Sequence, residues 1–351
     1  MRSKLLLGIV LFSFLVIINC NKKSPLFSEQ AIQPKQLTST GLDSKCFWSP
    51  NGEYIAFRSA RNTYIPNSSW LISELWIMNK DGSNQLPLIL ADELYKTTNV
   101  VSVSWAQNSV EMLVHFYVHS IPNKSEIWRI NTNGDKIRLS SPNDWAERPC
   151  YSPDGTKIAF IIQGANPPEG SLIYRLYVAN VDLSDTLLIE KGLISDYKWK
   201  SDSEGLIYSL YDRPRENYDL WEFSLNGADK FRISETSENE ETLSCSHDGK
   251  YIAYSDWNVV YITPTNKFNP KQIINDARLP RWIPNRSLIL LLSEKTLDNN
   301  KFWTESWIVD LHGNVIKKIA EGEASWASFS PTGDYFVFSV NGNIWLDYLP
   351  Y

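Results

Sequence analysis

The sequence predicts an all-β chain folded as a seven-bladed β-propeller, closed by an N-terminal strand that completes the last blade. Three observations predict it. One turn-bearing unit recurs seven times, and its copies are spaced at the length of a four-stranded sheet. The last copy also ends one strand short, and a fitting strand lies near the other end of the chain.

The unit is clearest at Pro149–Phe160, where Ser152-Pro153-Asp154-Gly155 separates two apolar runs. Pro presets φ, Asp caps the turn locally and Gly accepts a positive φ. The unit recurs at Phe47–Phe57, Cys245–Tyr254 and Phe329–Phe338, and in weaker form around Trp105, Trp199 and Trp282. Its anchors are Trp48, Trp105, Tyr151, Trp199, Cys245, Trp282 and Phe329, at spacings of 57, 46, 48, 46, 37 and 47 residues. That is the size of one blade.

Each anchor strand is followed by a second strand, such as Lys157–Ile162. A third carries an aromatic near its start, as in Leu75-Trp76, Ile127-Trp128, Leu176-Tyr177, Leu220-Trp221 and Ser306-Trp307. Several third strands run into Asp-Gly or Asn-Gly, a hairpin signal. Fourth strands are short: Lys136–Ser140, Thr186–Glu190, Phe231–Ser234 and Lys271–Ile274. The seventh unit supplies three strands, ending at Asn343–Leu346, and Pro34–Thr38 matches the missing fourth.

These repeats resemble the WD40-like repeats of the TolB-type propeller family, across residues 34–351. The resemblance implies a periplasmic binding or scaffold protein; the same repeat also forms the non-catalytic propeller of some serine peptidases, but seven blades leave no room here for a peptidase domain. TolB-type proteins also carry a separate N-terminal α/β domain, where this chain has a short tether.

At the N-terminus, Arg2 and Lys4 precede an apolar run from Leu5 to Ile18, short for a membrane span but suited to a signal peptide. It ends Ile17-Ile18-Asn19-Cys20, which resembles a bacterial lipobox, although Asn19 departs from the usual small residue. That resemblance implies cleavage before Cys20 and lipidation of its thiol; an ordinary cleaved signal and an uncleaved anchor are the alternatives. The expected organisation is a signal peptide over 1–19, a polar tether over 20–33 and the propeller over 34–351. The expected location is outside the cytoplasm, membrane-anchored as a lipoprotein on the periplasmic or outer-surface side.

Composition narrows the function classes. The chain is 43% hydrophobic and 13% aromatic, with 14 Trp and 17 Tyr, which suits pleated strands around a large core. Net charge is −6 and no basic stripe appears, so no nucleic-acid partner is expected. Cys46, Cys150 and Cys245 fall at or just before anchors of non-adjacent repeats and read as small buried residues. No Gly-x-Ser-x-Gly, phosphate loop, dinucleotide fingerprint or His-Glu-x-x-His is present. His115 and His119 sit four apart on a strand, roughly 13 Å, too far to share a metal. No metal or cofactor is expected.

Alternating strands put the loops after second and fourth strands on one face. These are longer and more varied, and they include Ala60–Glu74 with Trp70, Gln163–Arg175, Tyr211–Asp219 and Glu294–Glu305 with Trp303. Such loops on a rigid scaffold are where sites form. The residues four before each anchor, Ser44, Val101, Glu147, Ser195, Glu241, Arg278 and Ser325, should ring the central opening on this face. Arg148 and Asp196 lie beside them. Glu147, Arg148, Asp196, Glu241 and Arg278, with Trp70 and Trp303 as partner anchors, are the candidate ligand-binding residues. Glu147, Arg148, Glu241 and Arg278 have a second reading, as ion pairs between adjacent blades, and Trp70 and Trp303 one as side chains folded back over the blade edge. The expected function is a monomeric, non-catalytic envelope protein, anchored to the membrane by lipid, that binds a protein, peptide or small polar ligand. The alternative is a propeller hydrolase or lyase acting on a sugar or peptide in the central funnel, with Glu147, Asp196 and Glu241 as acids and bases.

Overall fold

The computed structural model describes residues 33–63, 72–90, 98–119, 124–164, 173–296, 302–321 and 327–349. Their strands form seven four-stranded antiparallel sheets, as expected. The inner strands are Asp43–Trp48, Thr98–Trp105, Trp145–Tyr151, Ile194–Trp199, Thr242–Cys245, Ala277–Trp282 and Ala327–Phe329, each ending on its anchor. Blades are numbered one to seven in that order.

Closure follows the sequence. Lys35–Gln36 is the fourth strand of blade seven, with Lys35 opposite Leu346 and Gln36 opposite Trp345. Leu37 N–H donates to the Ile344 carbonyl at 2.8 Å. The buried Thr38 Oγ1 accepts from Ile344 N–H at 2.9 Å. The outer edge of that sheet is thereby reduced to the two-residue strand Lys35–Gln36, which limits strand addition from other chains.

The repeated turn explains itself locally. In blade three Ser152 Oγ accepts from Lys157 N–H at 3.0 Å, and Gly155 N–H reaches the Ser152 carbonyl at 2.9 Å. Gly155 has φ of 73°, which a Cβ would strain. Ser49-Gly52, Ser246-Gly249 and Ser330-Gly333 repeat the arrangement.

Blades are welded by apolar packing and by the anchors. Leu75 and Ala56 of blade one pack with Val100, Trp105 and Val114 of blade two. Cys46 and Ile55 pack with Val337 and Ile344 of blade seven. Each fully buried large side chain contributes about 1.5–3 kcal/mol. Trp105, Trp199 and Trp282 donate Nε1–H to the carbonyls of Phe47, Cys150 and Ser244, each in the preceding blade, at 3.1, 3.2 and 3.0 Å.

A second repeat lies in the third strands. Glu74, Glu126 and Glu305 each accept from the indole two residues later, Trp76, Trp128 and Trp307, at 3.0, 3.0 and 2.9 Å. These carboxylates are buried, with Lys124 and Arg138 beside Glu126 and Lys318 beside Glu305. Asp219 and Trp221 keep the spacing in blade four, where Arg232 binds the acid and covers the ring.

Two expected loops are shorter than the sequence suggested. The hairpin expected to be open over Tyr211–Asp219 is paired down to Asp212–Asn217, because Tyr211 and Tyr218 face each other with ring centroids 5.1 Å apart. Trp303 lies in the strand Phe302–Asp310 opposite Lys295, rather than in a loop. Trp70, Cys20 and Ser325 fall outside the described residues. Cys46, Cys150 and Cys245 remain thiols. Burial pushes Cys46 and Cys245 up to about 12 and also raises Cys150.

Candidate active site

The inner strands are not regular. Their pairing with the second strands slips between Ser44 and Cys46, Val100 and Ser102, Glu147 and Cys150, Ile194 and Tyr197, and Arg278 and Arg281. Each slip frees a residue from the ladder where the strand faces the axis. Two have a cause in the sequence: Pro149 and Pro280 lack an N–H and cannot pair. Lys45, Arg148 and Leu279, all three before their anchors, take φ of 44°, 53° and 54°. Such left-handed backbone in non-glycine residues costs about 1 kcal/mol or more and collects at functional sites. Bulges also re-aim side chains.

The bulge at Arg148 is held from two sides. The Tyr197 hydroxyl lies within hydrogen-bonding reach of the Arg148 and Ala159 carbonyls, the latter at 2.9 Å, and shares its one proton between them. The Arg148 guanidinium reaches the Ser195 carbonyl of the next blade. Lys45 similarly donates to the Val101 carbonyl of blade two at 3.2 Å. Ser195 Oγ continues the chain of contacts to the Glu241 carbonyl in blade five at 3.2 Å.

Four cations converge on this region. Burial lowers Lys45 to about 8, with Arg58 and Arg281 adding to the effect. Burial also lowers Arg281, opposed by the charges of Asp196 and Cys46. Arg281 belongs to blade six, yet it is felt by blades one and four. Arg58 stands on the second strand of blade one, bonded to Ser44 and Asn99 at 2.9 and 3.2 Å. Burial lowers its pKa too.

His115, on the second strand of blade two, lies in the field of Lys45 and Arg148. It is 4% exposed, and neither ring nitrogen has a hydrogen-bond partner. Burial pushes its pKa down to about 3, with Arg148 and then Lys45 adding to the shift. It is therefore neutral at physiological pH, an uncharged imidazole walled by positive charge.

The expected site residues separate into two groups. Glu147 and Arg148 are adjacent at the axis, paired at 3.8 Å within one strand rather than between blades. Burial raises the Glu147 pKa, opposed by Arg148. Asp196 is committed to its neighbours, taking Lys198 at 2.7 Å and Leu243 N–H of blade five at 3.0 Å. Glu241 lies at the blade-five rim, its pKa raised by burial and then by Asp256. Arg278 opens the blade-six bulge. Sequence reasoning missed Lys45, Arg58, Arg281 and His115. Aligning the repeats one residue closer to the anchor would have exposed the pair Lys45 and Arg148.

The fold is a closed propeller whose bulged inner strands carry Lys45, Arg148 and Arg281 together with the acids Glu147 and Asp196, in a chain of net charge −6. Neither a protein-family model nor a curated protein sequence matches the chain. Among solved structures it is similar to an oligogalacturonate lyase from Vibrio parahaemolyticus, with a TM-score of 0.68 and 12% identity over 90% of this chain and 93% of that one. A second oligogalacturonate lyase, in complex with manganese, overlays with a TM-score of 0.67 and 11% identity, covering 90% and 92%. TolB from Acinetobacter baumannii is also similar, with a TM-score of 0.52 and 15% identity, covering 81% and 67%. At such identities the likeness establishes the propeller fold. It also overturns the expectation of a non-catalytic binding protein, since two enzymes overlay better than TolB does.

The residues here do not fit a metal centre. Among the described residues no group of three or more His, Cys, Asp or Glu is placed to hold an ion. The channel histidine has Arg148 and Lys45 as its charged neighbours, which oppose a dication.

Proposed function

We propose that the chain is a carbohydrate-cleaving enzyme that acts on acidic oligosaccharides in the axial channel by β-elimination. The observation that carries this reading is a set of coupled cations: Lys45 lies in the field of Arg58 and Arg281, and the buried, neutral His115 in the field of Arg148 and Lys45. A cationic channel in a net-acidic protein selects an anionic ligand and rejects a neutral one. The lyases among the similar structures support the same class.

The chemistry follows from the charges. Arginines beside a uronate carboxylate stabilise the negative charge that develops when the proton on the adjacent carbon leaves. Lys45, lowered to about 8 by burial and its arginine neighbours, is partly neutral near physiological pH and serves as the base. The C–H electron pair forms the new carbon–carbon double bond as the glycosidic C–O bond breaks. The ammonium then returns its proton to the departing oxygen. Tyr197 is a positioning residue, since it holds the Arg148 bulge. A panel of acidic and neutral oligosaccharides tests the reading. Unsaturated products from the acidic members alone support it, and no turnover, or hydrolysis without a double bond, overturns it.

We also propose export and lipid anchoring through Cys20, supported by the apolar Leu5–Ile18 run and the Cys that follows it. Labelled palmitate should enter the wild-type chain and not Cys20→Ala; equal labelling would reject the anchor.

A further inference from the structure

On the funnel face of blade five, the second and third strands are joined by two residues, Trp257-Asn258. Thr242 at the start of the inner strand pairs with Ser255, so Trp257 stands just beyond the channel entrance on the same side as Glu241. Its side chain is turned to solvent: Trp257 is 72% exposed. Its backbone has φ of 47°, where Asn or Gly is the usual occupant. The comparable two-residue link in blade seven is Asn341-Gly342.

Elsewhere among the described residues, large exposed hydrophobics have ordinary positions. Leu86, Ile137, Leu188, Phe231 and Val315 lie on outer fourth strands, and Tyr335 follows a turn of the opposite face. Leu279 is the exception. It is the blade-six bulge residue, 37% exposed, beside Arg278. The two exceptions are joined, because Ala277 N–H donates to the Asn258 carbonyl at 3.1 Å. Trp257, Arg278 and Leu279 thus stand on adjoining segments, one residue from Asn258 and one and two residues from Ala277. Neither turn geometry nor core packing requires the indole there, and the left-handed backbone makes it costly to keep.

We infer that Trp257 is an aromatic platform on which one sugar ring of an acidic oligosaccharide lies as the chain enters the channel. A pyranose presents an apolar C–H face that suits an indole, while its carboxylate, at the ring edge, suits Arg278. The inference rests on the proposed substrate class and adds a subsite outside the reacting centre.

The test is calorimetric titration of the full-length chain with long uronate oligosaccharides, and thermal unfolding of the same samples. Trp257→Asn should bind about tenfold more weakly, with an unchanged or higher unfolding midpoint, because Asn tolerates the left-handed backbone. Trp257→Phe should keep most of the affinity. Equal affinity of Trp257→Asn and wild type, or no binding by wild type, overturns the inference. So does a joint fall in affinity and midpoint, which would assign the ring a structural task. Cleavage is read separately: Trp257-dependent binding without turnover sinks the catalytic reading and leaves the platform standing.

Discussion

The indole Nε1–H of Trp282 lies 3.0 Å from the carbonyl oxygen of Ser244 in the preceding blade. The same anchor donates its backbone N–H to the Ser244 hydroxyl at 3.0 Å. Trp282→Phe keeps a ring but loses the indole donor, so stability should fall by about 1–3 kcal/mol. Urea unfolding measures this. Trp48→Phe is the comparison, because Trp48 Nε1 makes no such bond and its substitution should cost less.

Closure of the ring offers a second measurement. Thr38→Val preserves shape but leaves the buried Ile344 N–H without the hydroxyl it uses. A loss of about 1–3 kcal/mol is expected. Hydrogen exchange should speed up over Asn343–Tyr348 before other blades respond.

Glu240 gives a pH-dependent prediction. Burial raises its pKa to about 7, against hydrogen bonds from Thr236 and Ser234, while Asp219 and Glu238 add to the rise. A folded value above the ordinary 4.5 means the folded state resists ionisation. Glu240→Gln should therefore stabilise by about 1–3 kcal/mol above pH 7. The gain should shrink as pH falls through about 7 and vanish below 4.5. Chemical denaturation at alkaline and acid pH checks the sign.

Catalysis gives the fourth. Lys45→Arg keeps the positive charge but cannot act as a base, so turnover of an acidic oligosaccharide should drop by about 10²- to 10⁴-fold. Binding should persist. The wild-type rate should climb with pH and level off above about 8, following Lys45. A rate indifferent to pH in that range would remove Lys45 from the chemistry.

Much of the architecture was legible because each blade is local. Ser-Pro-Asp-Gly turns, alternating apolar runs and the spare strand at Pro34–Thr38 each announce a short-range structure, and together they allow only a closed ring. The site was less legible, for two physical reasons. Bulges displace residues by one position, so counting four back from each anchor found Glu147 but passed over Lys45. His115 lies on a second strand and reads as an ordinary core position. Only the closed ring shows that its neighbours in blades one and three are cations. Asp196, an expected site residue, bonds Lys198 and the Leu243 amide with its oxygens.

The slipped pairing of the inner strands has a consequence for how such a protein diversifies. A residue exempt from the ladder answers to no partner across the sheet. Lys45, Arg148 and Leu279 occupy that exempt place in three blades and carry three different chemistries. The scaffold thus separates the contents of its axis from the rules of its walls, and a descendant can exchange one without rebuilding the other.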